Sequence, residues 1–222
     1  MPLCVFDLDH TLIQTPLDLA AMAFDMRALI ERTHGPLPAR RDRYRVGELI
    51  AHCQINAPAL EVAVWEVALE HERRAMEVAA LEPGALAAVV GARRGGFATA
   101  IWTNNARELT LPALARLGLA DELDLVVTRD DMRALKPDPD GWRVISEHFA
   151  HLSDRAGDPR DAVIVGDSWV DGVAAAKAGV SFIAYRARQE DLDRWQVRPI
   201  VHLADLALLP DWLAAQPRSR RS

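Results

Sequence analysis

Short apolar runs that end in a polar residue recur along this chain. LCVFD ends at Asp7, FATAIWT at Thr103, LDLVVT at Thr128 and AVIVGD at Asp167, and SFIAY is a fifth run. Apolar runs of this length between turn signals are typical of buried strands in a parallel sheet. The pattern therefore predicts five strands in one sheet.

Segments with helical spacing separate these strands. Gly118 and Gly179 follow two of the segments, where a glycine favours the end of a helix. Alternating strands and helices predict an α/β fold with a doubly wound parallel sheet of the Rossmann type, which binds ligands beyond the carboxyl ends of its strands. The predicted helices cover residues 82–93, 106–117, 140–151 and 171–178.

Residues 14–80 interrupt this alternation. They contain long helical patterns at 17–33 and 59–79 but no convincing strand, and two prolines and four arginines between Gly35 and Arg45 predict a loop. We expect an α/β core formed by residues 1–13 and 81–215. The same pattern predicts a small helical cap inserted at 14–80 and a frayed tail at 216–222.

Composition excludes several classes of function. The net charge of −6 argues against a nucleic-acid surface, which needs concentrated Lys and Arg. The apolar runs are shorter than a membrane crossing requires. Two unclustered cysteines, Cys4 and Cys53, are typical of a reduced protein, so we expect a cytoplasmic one. Lys136 and Lys177 are the only lysines.

Asp7 and Asp9 stand two residues apart at the end of the first predicted strand. Clustered carboxylates are costly without a cation, and Mg²⁺ is the usual partner for oxygen ligands. A pair of this kind is weak evidence by itself, because many such pairs are simply solvated. The surrounding segments have to decide its role.

Four segments, FDLDHT, IWTNN, LKPDP and VGDSWVD, follow one another in the chain, each at a strand end or a helix start. Together they resemble the four motifs of the haloacid dehalogenase-like hydrolase superfamily, and they extend from Asp7 to Asp171. The position of the inserted segment resembles the phosphoglycolate phosphatase group. His10 departs from the pattern, because many relatives have glycine there, and its role stays open.

The resemblance implies a phosphoric monoester hydrolase that forms an aspartyl-phosphate on Asp7. Asp9 would protonate the departing alkoxide and then deprotonate the attacking water. An acid at this position is typical of the phosphatases and is missing from the dehalogenases. Mg²⁺ would be bound by Asp7, Asp167 and the backbone carbonyl of Asp9.

The resemblance assigns further roles in catalysis and substrate binding. Thr103 would donate a hydrogen bond to the phosphoryl group, and the backbone N–H of Asn104 could add another donor; the alternative for Thr103 is a helix cap. Lys136 would neutralise the nucleophile and the transferring group, although most lysines are surface charges. Asp171 would lie behind the metal site, holding a water or Lys136, or would simply begin a helix.

We expect a small phosphorylated metabolite as the substrate, with no nucleic acid or membrane partner, and either a monomer or a homodimer. The alternatives are a phosphosugar mutase of the same superfamily and a phosphate-binding or regulatory protein without turnover. Substrate selection is expected in the inserted segment, where a solvated arginine run competes with an anion-binding fork. The candidates there are Arg40, Arg41, Arg43, Arg45, His52 and Arg73.

Overall fold

The computed structural model describes residues 2–150 and 158–216. The chain divides into two compact units, one of residues 1–15 and 79–222 and one of residues 16–78. The predicted frayed tail lies outside the described residues except for Gln216. Among the helices that are described, none has the length and apolarity that crossing a membrane would require.

A six-stranded parallel sheet lies at the centre of the first unit. Eight strands are found in the described residues: β1 (Leu3–Phe6), β2 (Ile13–Gln14), β3 (Ala80–Leu81), β4 (Ala98–Trp102), β5 (Leu125–Val127), β6 (Ala162–Gly166), β7 (Ser181–Tyr185) and β8 (Val201–Leu203). The sheet has the order β5-β4-β1-β6-β7-β8, and β2 pairs with β3 in a separate antiparallel ribbon. The predicted α/β class with a doubly wound parallel sheet is confirmed.

Helices fill the connections between these strands. The described residues form α1 (Leu19–His34), α2 (Val46–Asn56), α3 (Glu61–Glu77), α4 (Ala85–Arg94), α5 (Arg107–Arg116), α6 (Asp140–Ala150), α7 (Trp169–Ala178), α8 (Gln189–Arg194) and α9 (Leu209–Ala215). The four helices predicted for the core correspond to α4 to α7. The edge strand β8 and helices α8 and α9 were not predicted, because each is short and lacks a clear apolar period.

The core forms around β1, whose four residues are all buried. An apolar strand without alternation fits this position, since both faces of a central parallel strand are covered. Trp102, at the end of β4, is buried beside α6, and a side chain at Gly141 would come within 2.1 Å of its indole nitrogen. The absence of a Cβ at Gly141 therefore lets α6 approach the sheet.

The second unit consists of α1, α2 and α3. Asp18 caps α1 by accepting hydrogen bonds from the N–H groups of Ala20 and Ala21, both at 2.9 Å. Met22, Met26 and Ile30 are buried along one face of α1, at the four-residue spacing of an amphipathic helix. Two long helices were predicted here, and α2 is a third. The prediction that this segment caps the active site stays a prediction.

The expectation that residues 14–80 contain no strand does not hold at the two ends of this segment. Gln14 belongs to β2 and Ala80 belongs to β3, and the two residues pair with each other. Both strands have only two residues, which is too short for an apolar pattern to reveal. The ribbon thus joins the two ends of the inserted segment.

Candidate active site

Three neighbouring strands of the sheet deliver the candidate residues to one edge. Asp7 follows β1, Thr103 follows β4 and Asp167 follows β6. The N–H of Asp7 donates to the carbonyl of Val165 at 2.9 Å, so the parallel ladder continues to the first aspartate. Because β1 lies between β4 and β6, its carboxyl end lies at the centre of the candidate site.

Lys136 lies between two aspartates. Its ammonium donates to Asp7 Oδ1 at 2.5 Å and to Asp171 Oδ1 at 2.6 Å, and its side chain is only 4% exposed. Carboxylate oxygens of Asp7, Asp167 and Asp171 lie within 4.8 Å of one another. The group therefore contains three carboxylates and one cation, and it carries excess negative charge when all are ionised.

This excess charge changes how the carboxylates titrate. Burial raises the pKa of Asp7 to about 7; the charge of Asp171 adds to the rise and the charge of Lys136 opposes it. Burial, followed by the charges of Asp7 and Asp171, raises the pKa of Asp167 to about 9. Burial alone would lower the pKa of Lys136, but Asp171 and Asp7 outweigh it and raise that pKa.

The oxygen ligands fit a hard divalent cation. Asp7 and Asp167 are half-buried, and burial together with the neighbouring carboxylates raises the pKa of each. A bound cation would favour their ionised forms, and Mg²⁺ prefers oxygen ligands of this type. The described side chains therefore form a group that could hold a metal ion.

Asp171 is held differently from the other two carboxylates. Its Oδ1 accepts from Lys136, and its Oδ2 accepts from the Ser168 hydroxyl at 2.7 Å in a capping box at the start of α7. A Cβ on Gly166 would lie 2.6 Å from the Asp171 side chain, so the glycine makes room for it. Asp171 thus has both contacts that the sequence left as alternatives, with Lys136 and with the helix start.

Asp9 has hydrogen-bond partners outside this cluster. Its Oδ1 accepts from the Thr15 hydroxyl at 2.7 Å, and its Oδ2 accepts from the Asn105 amide at 2.5 Å. His10 follows it in a left-handed conformation with φ of 56°, and this residue is exposed. The chain turns sharply between Asp9 and Ile13, which the strand pattern alone did not reveal.

Thr103 and Asn104 make separate contacts. The Thr103 hydroxyl accepts the N–H of Asn105 at 3.2 Å, so its own proton is left to be donated to a bound anion. The Asn104 side chain forms two hydrogen bonds with the backbone of Lys136: it accepts its N–H at 2.9 Å and donates to its carbonyl at 3.1 Å. The Asn104 side chain therefore holds the lysine loop, whereas the predicted phosphate contact involves its backbone.

The S-x-x-D spacing of Ser168 and Asp171 is typical of a capping box, and Ser168 caps α7 in this way. Sequence reasoning missed three residues at this edge. Gly166 precedes Asp167 directly, but only the close approach of Asp171 explains it. No local pattern identifies Thr15 or Asn105, because the contact from Asn105 to Asp9 spans 96 positions.

The candidate residues of the second unit include several with partners inside that unit. Arg40 donates to Glu48 at 2.6 Å and lies over the ring of Tyr44, 3.8 Å from its centroid. Arg73 donates to Glu70 at 2.8 Å. Two of the proposed anion-binding arginines therefore have structural roles within their own unit.

The residues brought together at the strand ends can be compared with known proteins. The haloacid dehalogenase-like hydrolase family matches residues 1–179 of this chain. The chain belongs to this family. Its matched range includes all four motif segments.

Individual relatives agree with this result. A phosphoglycolate phosphatase of Nitrosospira multiformis is 30% identical over 186 residues, which cover 79% of this chain and 78% of the relative. A plasmid phosphoglycolate phosphatase of Cupriavidus necator is 40% identical over 98 residues, 44% of this chain and 40% of that protein. The predicted similarity to the phosphoglycolate phosphatase group is confirmed, and so is the enzyme class of a phosphoric monoester hydrolase.

Solved structures share the fold. One from Thermotoga maritima, provisionally described as a β-phosphoglucomutase, covers 96% of this chain and 98% of its own, with a TM-score of 0.61 and 20% identity. At that identity the likeness concerns the fold alone. It does not distinguish a phosphatase from a mutase.

Proposed function

We propose that this protein is a Mg²⁺-dependent phosphatase that hydrolyses a small phosphomonoester through an aspartyl-phosphate on Asp7. The observation that carries the proposal is the buried ammonium of Lys136 between Asp7 and Asp171, with Asp167 beside them. Such a site can hold a dianionic phosphate only if positive charge accompanies it. The named activity of the relatives makes phosphoglycolate the first substrate to test.

Asp7 is the nucleophile of the proposed mechanism. Its carboxylate oxygen attacks phosphorus, the bond from phosphorus to the ester oxygen breaks, and Asp9 supplies a proton to the departing oxygen. Water then attacks the phosphorus, Asp9 takes its proton, and the bond to Asp7 breaks. The products are the alcohol and inorganic phosphate, so both residues return to their starting states.

The other residues manage the charge of the phosphoryl group. Lys136 provides positive charge next to Asp7, and the Thr103 hydroxyl and the Asn104 N–H are the proposed donors to phosphoryl oxygens. Asp7, Asp167 and the backbone carbonyl of Asp9 would hold Mg²⁺, and Asp171 would support Lys136. When bound, Mg²⁺ supplies charge that offsets the repulsion between the anionic substrate and the carboxylates.

Phosphate release from an aryl phosphate and from phosphoglycolate, with Mg²⁺ and with a chelator, tests the proposal on the wild type and on Asp7→Asn. We expect turnover only with the metal and a fall of at least about 10³-fold in the variant, because the amide is a poor nucleophile. The wild type should yield an acid-stable phosphoprotein during turnover. Undiminished activity of Asp7→Asn would exclude Asp7 as the nucleophile.

The same assay addresses the alternatives. A phosphosugar mutase would transfer phosphate to a sugar phosphate faster than to water, and a binding protein would retain phosphate without release. The described residues contain no feature that favours either one over hydrolysis. We expect either a monomer or a homodimer, located in the cytoplasm.

A further inference from the structure

The carboxylate of Asp9 is held by two hydrogen-bond donors from different parts of the chain. Asn105 donates to Oδ2 at 2.5 Å and Thr15 donates to Oδ1 at 2.7 Å. Both donors are buried, Asn105 being 4% exposed and Thr15 5%, whereas Asp9 itself is half-buried. Two buried donors therefore hold the carboxyl group of Asp9, while the residue itself stays partly accessible.

Asn105 is itself held firmly. Its backbone N–H donates to the Thr103 hydroxyl at 3.2 Å, and its backbone carbonyl accepts the backbone N–H of Arg129 at 3.1 Å. The side-chain amide of Asn105 donates through its nitrogen, because its oxygen in that place would face the lone pairs of the Asp9 carboxyl oxygen. These two backbone contacts and the side-chain contact with Asp9 thus connect Asn105 to the loops after β1, β4 and β5.

We propose that Asn105 is a positioning residue for proton transfer by Asp9. The inference rests on the proposed function, since it needs Asp9 to protonate the departing oxygen and to deprotonate the water. The NH2 group of the amide can only donate, so it fixes one carboxyl oxygen of Asp9 and thereby the direction of the other lone pairs. Proton transfer depends steeply on such alignment, because the two heavy atoms must come within hydrogen-bond reach.

The neighbouring asparagine provides a matched comparison. Asn104 holds the backbone of Lys136, whose charge acts on the phosphoryl group whatever alcohol departs. Asn105 holds Asp9, whose proton is needed most when the departing oxygen is strongly basic. The two residues therefore predict different dependences on the leaving group, although they are adjacent in sequence.

The experiment compares Asn105→Leu with Asn104→Leu on an alkyl phosphate and on a nitro-substituted aryl phosphate, both with Mg²⁺. For Asn105→Leu we expect kcat/KM to fall about 10- to 100-fold on the alkyl ester and less than about threefold on the aryl ester. For Asn104→Leu we expect similar losses on both esters. Thr15→Val should resemble Asn105→Leu in its dependence on the leaving group, and Thr15→Ser, which keeps the hydroxyl, should restore the wild-type pattern.

Thermal unfolding and the Mg²⁺ concentration for half-maximal activity report whether each variant keeps its fold and metal site. Equal losses on the two esters in a folded Asn105→Leu protein, or no loss on either, would overturn the inference. The proposed function is judged separately by Asp7→Asn in the same assay. If that variant is inactive while Asn105→Leu shows no dependence on the leaving group, only the positioning role is wrong.

Discussion

Two sites in the first unit differ in how the charge of their acidic side chains is compensated. At the strand ends, Asp7, Asp167 and Asp171 share one cation, Lys136. Near the ribbon of β2 and β3, the charge of one buried acid, Glu82, is balanced by a neighbouring cation. Glu82 accepts from the Tyr185 hydroxyl and from Arg186, both at 2.6 Å, and the Arg186 side chain is 53% exposed.

The difference separates a binding site from a structural contact. The charge of the Glu82 carboxylate is balanced by Arg186 and its Oε1 also accepts from Tyr185, so this group joins β7 to the segment that leads into α4. Burial and the hydrogen bond to Glu82 raise the pKa of the Tyr185 hydroxyl, so it stays protonated and continues to donate. The strand-end group lacks such balance, which favours a bound cation and an anion beside it.

Removing the only cation of the strand-end group should have the largest effect. Lys136→Met leaves three carboxylates without compensation, and we expect kcat/KM to fall at least about 10²- to 10³-fold. The free energy of unfolding of the metal-free protein should fall by about 3 kcal/mol. Aryl phosphate hydrolysis and thermal unfolding measure the two effects.

Lys177→Met is the matched control, because Lys177 is the other lysine of the chain and is exposed on α7. It should change neither measurement appreciably. Equal effects of the two lysine variants on hydrolysis and on thermal unfolding would show that the strand-end group does not depend on Lys136.

The raised pKa values predict how pH changes the same group. Asp7 and Asp167 have pKa values of about 7 and about 9, well above those of unfolded aspartate. Between about pH 4 and about pH 9 the folded protein therefore binds more protons than the unfolded chain does. The contribution of these two carboxyl groups to the stability of the metal-free protein should therefore be fully present below about pH 4 and be lost as pH rises to about 9. Mg²⁺ binds the ionised form, so its stabilising effect should grow over the same interval, to about 2.7 kcal/mol at a hundredfold excess over Kd.

Melting temperatures at about pH 5 and about pH 9, with Mg²⁺ and with a chelator, measure this dependence. Asp167→Asn should weaken both the decline without metal and the stabilisation by Mg²⁺. An equal Mg²⁺ effect at the two pH values would contradict the assignment of these carboxylates as metal ligands.

The smallest effect is expected at the compensated group. Glu82→Met should lower the free energy of unfolding by about 2 kcal/mol, because the buried Tyr185 hydroxyl loses its acceptor while Arg186 can turn to solvent. Activity of the folded variant should stay within about threefold of wild type. Adding Tyr185→Phe to Glu82→Met should recover part of the stability, since the unpaired hydroxyl is then removed. A large loss of activity in a stable Glu82→Met protein would break the distinction between the two groups.

The strand-end residues could be predicted because their positions follow from local pattern. Asp7, Thr103 and Asp167 each end an apolar run, and parallel strands bring their carboxyl ends to one edge. Lys136 was predicted through its motif and its rarity. Asn105 and Thr15 were not, because their contacts with Asp9 depend on loop conformations that no periodicity records. The edge strand β8 was missed because three residues are too few for a pattern.

The sequence by itself determined the class of the fold and the polar residues that end its strands, since these depend on apolar periodicity. It also determined the family, which depends on motifs of a few adjacent residues. The tertiary structure decided which of its possible partners each acid contacts. Whether a buried carboxylate meets a lysine, an amide or another carboxylate depends on loops far apart in sequence, and electrostatic energies change strongly over a few ångströms. That is why Asp171 contacts Lys136 while Asp9, two residues after Asp7, contacts Asn105 instead.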